Sequence, residues 1–226
     1  MAAGFLRKNV LVFALALSAT MTLVIGGTIA WLSAQTSTVD NHLHLLTASG
    51  KNPDMKASLD EPGWERENAV KAVPGQDISK DPAITNTSVN ALVSEWAGIK
   101  ITFTYGGGAD KGKPLSDKDY TRLMGIITIK SGTGDGYDTG WEEAAGQAGS
   151  ISTSYFYYKT LLAQTESTSP LFTSVAISSN ADSADIAFIN NTLGGFQIDV
   201  SGGTLQGNIS DTYNSDVKSE LYALIR

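Results

Sequence analysis

Short runs in which apolar and polar residues alternate recur along most of the chain and predict β-strands. Clusters of Gly, Pro, Asn and Asp separate these runs, as is typical of antiparallel sheets joined by turns. The predicted strands cover residues 36–46, 55–60, 91–105, 126–129, 154–159, 171–177, 185–189 and 196–205. The pattern therefore favours an all-β fold, either an antiparallel sandwich or a barrel.

Two segments instead have the features of helices. Ser116 followed by Asp119 resembles a capping box, and apolar residues follow it at helical spacing. Residues 216–225 also carry apolar residues near helical spacing, and we expect this C-terminal helix to dock on the sheets. The segments 106–114 and 131–153 are predicted to be loops.

The first thirty residues are laid out like a secretory leader. Arg7 and Lys8 precede an uncharged apolar run, and small residues occupy positions 28 and 30. Signal peptidases cut after small residues at this spacing. Residues 1–30 are therefore predicted to be a signal peptide that is cut between Ala30 and Trp31.

A retained membrane anchor is the alternative to cleavage. No residue between positions 10 and 32 is charged, and a run of that length can span a bilayer once. The small residues at the cleavage site and the Ser, Thr and Gly residues within the run favour removal of the leader.

Composition narrows the classes of partner. Removal of the leader leaves 196 residues, enough for one domain with its own core. Without Arg7 and Lys8, 14 basic residues face 23 acidic ones, a net charge of −9. Such a surface repels nucleic acid and anionic lipid, so neither is an expected partner. The absence of cysteine excludes disulfides and thiolate metal sites, and fits export from a bacterium with a single membrane.

Two polar clusters have the residue types of a metal site. His42 and His44 lie on one face of a predicted strand and could bind zinc or copper with a third ligand, although an exposed polar face is the simpler interpretation. Asp135 and Asp138 could offer oxygen ligands to calcium, but the full twelve-residue loop pattern is missing and a solvated turn is favoured. No metal ligand is assigned.

Other residues could serve an enzyme or bind carbohydrate. The pairs Glu142–Glu143 and Glu65–Glu67 could provide the two carboxyl groups of glycoside hydrolysis, but proximity in sequence does not set their separation. The aromatic run 155–158 could form a sugar-binding platform. In a strand its members alternate between faces, so half of them are expected in the core and half on the surface. The sequence assigns no catalytic residue and no cofactor.

Several motifs resemble those of the TasA/camelysin family of exported proteins. The leader ends in Gly-Gly-Thr-Ile-Ala-Trp at 26–31, as in family leaders that a SipW-type signal peptidase cuts. The segments 74–87, 155–172 and 196–206 are similar in order and spacing to family segments. The matching positions, all interpreted as structural, are Pro74, Gly75, Lys80, Asp81, Pro82, Asn86, Tyr157, Tyr158, Pro170, Leu171 and Phe172.

This resemblance implies a secreted structural protein of the biofilm matrix or cell surface of a Gram-positive bacterium. Its fold would be a jelly-roll-like sandwich over residues 50–226, preceded by residues 31–49, which we call the arm. In the family, the N-terminal strand of one subunit completes the sheet of a neighbour, which builds a fibre. The implied partners are other copies of the chain, the signal peptidase during export and an accessory assembly protein. The expected donor-strand contacts are Val39, Leu43 and Leu45.

The chain also departs from the family pattern. Residues 32–35 lack the acidic residue that often follows the cleavage site, and residues 202–206 replace the usual ending of the last strand. A main fibre subunit, a minor component and a non-polymerising relative therefore all remain open. Two other functions stay open as well: a camelysin-like metalloprotease, and a carbohydrate- or surface-binding module that uses Trp141 or Tyr157.

Overall fold

Three antiparallel sheets form the framework of the protein. The structure, a computed structural model, describes residues 39–41, 55–64, 72–144, 150–207 and 212–226. The strands in these ranges are β1 Val39–Asn41, β2 Ala57–Asp60, β3 Asp77–Ser79, β4 Ala83–Asn86, β5 Ser94–Tyr105, β6 Ile127–Ser131, β7 Gly134–Asp135, β8 Trp141–Glu143, β9 Thr153–Tyr158, β10 Ser174–Ile177 and β11 Phe196–Gly207. The helices are α1 Asp117–Met124, α2 Ser183–Ala187 and α3 Ser215–Ile225.

The two longest strands are at the centre of the fold. β5 and β11 pair along twelve residues, from Tyr105 opposite Phe196 to Ser94 opposite Gly207. They belong to a sheet with the order β11-β5-β9-β8. The other two sheets have the orders β3-β10-β6-β7 and β1-β2-β4. The expectation of an all-β fold with antiparallel sheets is thus confirmed at this level.

The central sheet is buried on both of its faces. One face contributes to the main core, with Ile99, Ile101, Phe103, Phe156 and Ile198 among its members. The other face is covered by α3 and forms a second core of Trp96, Tyr155, Tyr157, Leu205, Leu221 and Ile225. Burial of apolar surface on both faces explains why β5 is rich in isoleucine and aromatic residues.

The helices α1 and α3 form where the sequence predicts them. Ser116 caps α1, and its Oγ accepts a hydrogen bond from the backbone N–H of Asp119. α3 begins at Ser215, within one residue of the predicted start. Its cap is Asn214, whose Oδ1 accepts from the amides of Asp216 and Val217. These side chains satisfy amides that have no partner inside a helix.

The strand predicted at 185–189 is wrong, because this segment is helical. α2 is followed by a π-helical turn at Phe188–Thr192. Asp182 accepts from the amides of Ala184 and Asp185, and Asp185 accepts from the amide of Asp182. This reciprocal capping box stabilises a helix start that the apolar pattern alone did not indicate.

The predicted exposure of the aromatic run is also wrong. Tyr155 and Tyr157 lie under α3, while Phe156 enters the main core and Tyr158 packs against it. Alternation between faces holds, but neither face meets solvent fully because a helix covers the second one. The predicted loop at 131–153 likewise contains the short strands β7 and β8.

Candidate functional site

Strand β1 is an edge strand and pairs only with β2 in the described sheet. The two strands are antiparallel, with Val39 opposite Leu59, Asp40 opposite Ser58 and Asn41 opposite Ala57. β1 belongs to the arm, so the structure brings part of the arm onto the domain of its own chain. Val39 is the one expected donor contact within the described residues.

The strand that receives β1 is anchored from its other side. β2 pairs with β4, and Leu59 lies opposite Ile84 in the main core. With β1 removed, β2 would present unpaired backbone N–H and C=O groups along one side. Such a side can receive an extended segment by main-chain hydrogen bonding. β2 is therefore the acceptor strand of the candidate site.

Asn86 joins the end of β4 to two other segments. Its side-chain amide donates to the carbonyl oxygens of Val93 at 3.0 Å and Leu162 at 3.1 Å, and its Oδ1 accepts from the amide of Ser88. The side chain is fully buried. Asparagine is suited to this position because it carries both donors and an acceptor in a small side chain.

A buried carboxyl group lies next to the start of β2. Glu95 Oε1 accepts from Ser88 Oγ at 2.6 Å, and Ser88 Oγ in turn accepts from the amide of Lys56. Burial raises the pKa of Glu95, and the hydrogen bond from Ser88 partly opposes that rise. This chain of contacts ties the start of the acceptor strand to β5.

Lys80 is a buried cation close to the other end of β2. Its Nζ donates to Glu61 Oε1 at 2.6 Å and lies 5.1 Å from the centre of the Trp64 ring. Burial lowers the pKa of Lys80, while the charge of Glu61 acts in the opposite direction. The lysine is thus part of the structural core of this region.

Asp81 and Pro82 fix the chain between Lys80 and β4. Asp81 Oδ1 accepts from the amide of Gly63 at 2.7 Å, and the carbonyl of Pro82 accepts from the amide of Leu171. A side chain at Gly63 would place its Cβ 2.9 Å from Asp81 Oδ2, so it would displace the Asp81 carboxylate. Burial raises the pKa of Asp81.

The remaining motif positions also have structural contacts. Gly75 has a φ of 84° after Pro74, which fits the expected Pro-Gly turn. The hydroxyl of Tyr158 accepts from the amide of Ser169, next to Pro170. Leu171 and Phe172 are fully buried. The contacts of the matched motif residues thus support the fold.

The rings proposed for sugar binding are buried. Trp141 is 4% exposed and Tyr157 is 1% exposed, so neither presents a face on which a sugar could stack. The indole N–H of Trp141 donates to the carbonyl of Ser169. These two residues therefore offer no support for a carbohydrate-binding function.

The acidic candidates Glu142, Glu143 and Asp138, which lie within the described residues, make contacts that support the fold. Glu142 pairs with Lys218 at 2.6 Å, and Glu143 accepts from Ser154 Oγ. The contact with Lys218 lowers the pKa of Glu142. Asp138 accepts from Ser169 Oγ, as a structural turn residue does. Within the described ranges, no group of three or more His, Asp or Glu side chains is placed to hold a metal ion.

Several candidates lie outside the described residues. They are Ala30 and Trp31 at the cleavage site, Leu43 and Leu45 of the arm, the histidines at 42 and 44, and the acidic pair at 65 and 67. In the part of the chain that the structure describes, no helix is both long enough and apolar enough to cross a membrane.

Sequence reasoning missed three polar residues that shape the acceptor region. Glu61, Ser88 and Glu95 were not singled out, although each contacts a segment that holds β2 or β4. Only Glu95 had a local signal, because it is the one charged residue in the apolar run between Val93 and Ile99. Glu61 pairs with Lys80, and Ser88 accepts from the amide of Lys56, so both contacts depend on a residue that is distant in sequence.

Comparison of the chain with protein-family models, with curated proteins and with solved structures found no match. The resemblance to the TasA/camelysin family therefore rests on the sequence motifs alone.

Proposed function

We propose that this protein is a secreted structural protein of a bacterial cell surface or biofilm matrix. It polymerises when the arm of one copy supplies β1 to the acceptor strand β2 of the next. In this proposal the three sheets form a jelly-roll-like sandwich. The observation that carries it is the pairing of β1 with β2 alone, at the edge of a three-stranded sheet.

The β1–β2 contact is of a kind that can be exchanged between copies. It consists of three backbone-paired positions, and backbone pairing does not depend on which chain provides the strand. Fifteen residues, 42–56, connect Asn41 to Ala57. Exchange of the arm between copies would create a head-to-tail contact, and a contact of that type propagates into a filament.

The concentration of the protein would decide between a monomer, in which β1 pairs with β2 of its own chain, and the filament. A strand connected to its own acceptor acts at a high effective concentration, on the order of millimolar for a short flexible linker. Crowding of copies at a cell surface favours exchange, because the acceptors of neighbours then compete with the chain's own acceptor. The acidic surface keeps the monomer soluble until then.

Cysteine cross-linking tests the proposal, because the chain has no cysteine of its own. Asp40 and Ser58 are directly opposite each other, at a separation that a disulfide can span. Mature protein carrying Asp40→Cys is mixed with mature protein carrying Ser58→Cys and is oxidised under conditions of assembly. A disulfide-linked dimer of the two variants is expected, since only an exchanged arm brings these positions together.

Two controls are a double variant with both cysteines in one chain and a variant with a cysteine away from the β1–β2 contact. Asp40→Cys with Ser58→Cys in one chain should form a locked monomer that no longer assembles. Asp40→Cys mixed with Thr133→Cys, which lies in the exposed β6–β7 turn, should yield no specific dimer. Fibres in electron micrographs of the locked monomer, or equal cross-linking at residue 133, would contradict strand exchange.

A further inference from the structure

An apolar, uncharged surface lies at the end of the β1-β2-β4 sheet where β2 begins. In the loop that joins β4 to β5, Val89 is 63% exposed and Leu92 is 85% exposed. Neither residues 82–94 nor residues 160–165, which contact this loop, include a charged side chain. We call the surface formed by residues 87–93 and 163–165 the tip. Large apolar side chains exposed together in one short loop are typical of a surface that binds a partner.

The tip is held in place by hydrogen bonds between its two segments and β4. Gln164 Nε2 donates to the carbonyl oxygen of Ser88 at 2.7 Å, and Asn86 Nδ2 donates to that of Val93 at 3.0 Å. The amide of Thr165 donates to the carbonyl oxygen of Asn86 at 2.8 Å. Thr165 has a φ of 68°, which is unfavourable for a β-branched residue, so these contacts must hold it there. A surface fixed in this way loses little conformational entropy when a partner binds.

Strand β1 ends at the tip, and β2 begins there. Asn41 is opposite Ala57 in the antiparallel register. The amide of Lys56 donates to Ser88 Oγ, and the carbonyl oxygen of Lys56 accepts from the amide of Thr87. Both ends of the fifteen-residue connection between β1 and β2 therefore lie at the tip.

Strand exchange would therefore bring a second tip close to the first. When β1 of one copy pairs with β2 of another, the connection runs from the tip of the acceptor to the tip of the donor. A flexible chain of fifteen residues has an r.m.s. end-to-end distance of about 22 Å. The two copies carry a net charge of −7 each, so the uncharged tips are surfaces on which they can meet without direct repulsion between side chains.

The small size of the tip favours a partner that is already tethered. Two short loops cannot bury the roughly 1,200 Å² that a stable interface between free proteins requires. A copy joined through its arm needs much less contact area, because the tether keeps its effective concentration high. This difference favours a second copy of the chain over an unrelated soluble protein.

We propose that the tip is a contact surface between copies and packs against the tip of the copy whose β1 it has received. The tip contact deepens the proposed function and rests on its strand exchange. Val89 and Leu92 leave water when the two tips meet, and their burial stabilises the assembled form relative to the monomer. A filament would then hold the tips of successive copies side by side.

Replacing the apolar side chains of the tip tests its part in assembly. Val89→Ser/Leu92→Ser should raise the protein concentration needed for half-maximal assembly, measured by light scattering, at least about ten-fold. Val73→Ser/Leu224→Ser is the matched control, because it replaces residues that are 57% and 45% exposed outside the tip. Thermal unfolding by circular dichroism should show that both variants fold. Normal assembly of the tip variant, or equal effects of the two variants, would overturn the contact.

Cysteine coupling tests the contact directly. Protein carrying Leu92→Cys is assembled and treated with a short homobifunctional maleimide, which should join residue 92 of one copy to residue 92 of another. Thr133→Cys, in the exposed β6–β7 turn, should give no such dimer. Absence of the dimer at residue 92, or an equal yield at residue 133, contradicts the packing of tip on tip.

The mixed disulfide between residues 40 and 58 separates the tip contact from strand exchange. Coupling at residue 92 together with this disulfide supports both. The disulfide without coupling at residue 92 supports exchange and contradicts the tip contact. Coupling at residue 92 without the disulfide leaves the tip contact standing and contradicts exchange.

A lipid surface is the other partner that exposed Val89 and Leu92 could meet. Flotation with phosphatidylcholine–phosphatidylglycerol vesicles tests it. We expect the unchanged protein and Val89→Ser/Leu92→Ser both to stay unbound, since an acidic protein is repelled by anionic lipid. Vesicle binding that the tip variant loses while its assembly is unchanged would assign the tip to a membrane and overturn the contact between copies.

Discussion

Lys80 Nζ donates a hydrogen bond to Glu61 Oε1 over 2.6 Å, and no part of the lysine side chain is exposed. The pair connects the segment before β4 to the residue that follows β2. A buried charge loses its hydration and depends on its partner for compensation. The acceptor region is therefore held by an ionic contact in addition to its backbone pairing.

Glu61→Gln should lower the free energy of unfolding at pH 7 by about 3 kcal/mol, because it leaves the Lys80 charge buried without a partner. The variant lowers the pKa of Lys80 further, so the unfolded chain binds more protons than the folded one in the alkaline range. The loss in free energy of unfolding, relative to the unchanged protein, should therefore shrink as the pH rises from 7 towards 10. Urea unfolding at both pH values measures this.

The exposed pair between Lys130 and Asp77 is the control for this variant. Asp77→Asn should lower the free energy of unfolding by less than about 1 kcal/mol, because solvent screens that contact. Equal losses in the two variants would show that burial of Lys80 contributes nothing.

Glu95→Gln should raise stability relative to the unchanged protein, and increasingly so at higher pH. Burial raises the folded-state pKa of Glu95, so the stability that this carboxyl contributes is complete below its unfolded pKa of about 4.5. It is lost as the pH rises through the folded pKa. Glutamine keeps an acceptor for Ser88 and carries no charge.

Urea midpoints at pH 4 and pH 8 test this prediction. The difference between Glu95→Gln and the unchanged protein should be larger at pH 8. Glu220→Gln, an exposed residue of α3, should follow the unchanged protein at both values. A constant difference for Glu95→Gln would mean that folding does not change the pKa of this carboxyl, which would contradict the prediction.

Asn86→Ala should destabilise the protein by about 3 kcal/mol, since it removes partners from three backbone groups that are buried. Thermal unfolding monitored by circular dichroism measures the loss. Asn90→Ala is the matched control, because Asn90 accepts a single hydrogen bond in an exposed turn. It should cost less than about 1 kcal/mol.

Leu221→Ala should destabilise the docking of α3 by about 3 kcal/mol, because the side chain is fully buried against the central sheet. Leu224→Ala in the same helix should change stability by less than about 0.5 kcal/mol, since Leu224 is 45% exposed. Guanidinium unfolding of both variants gives the comparison. Similar effects at the two positions would argue against docking of this face.

The parts of the fold that could be predicted are those in which a local sequence pattern is compatible with a single kind of secondary structure. The run between Ser94 and Tyr105 alternates too regularly for a helix, and it forms β5. Ser116 has a hydroxyl that can cap the helix after it, and it does so. Side-chain alternation and a helix-capping hydroxyl can both be identified from a few neighbouring residues.

Other features could not be predicted, because they depend on contacts between distant segments. The sequence indicated that Tyr155 and Tyr157 share a face, but α3 decides that this face is buried. It indicated that residues 39–41 can form a strand, but only the fold shows β2 as its neighbour.

The sequence by itself determined the compositional limits and the strand-rich character, because charge, cysteine content and side-chain alternation are local properties. Tertiary structure alone decided which distant polar groups meet in the interior. Glu61 and Lys80 are nineteen positions apart, and Asn86 and Leu162 are seventy-six apart. No local pattern encodes such pairings, since the chain must first close long loops before desolvation can give these contacts their strength.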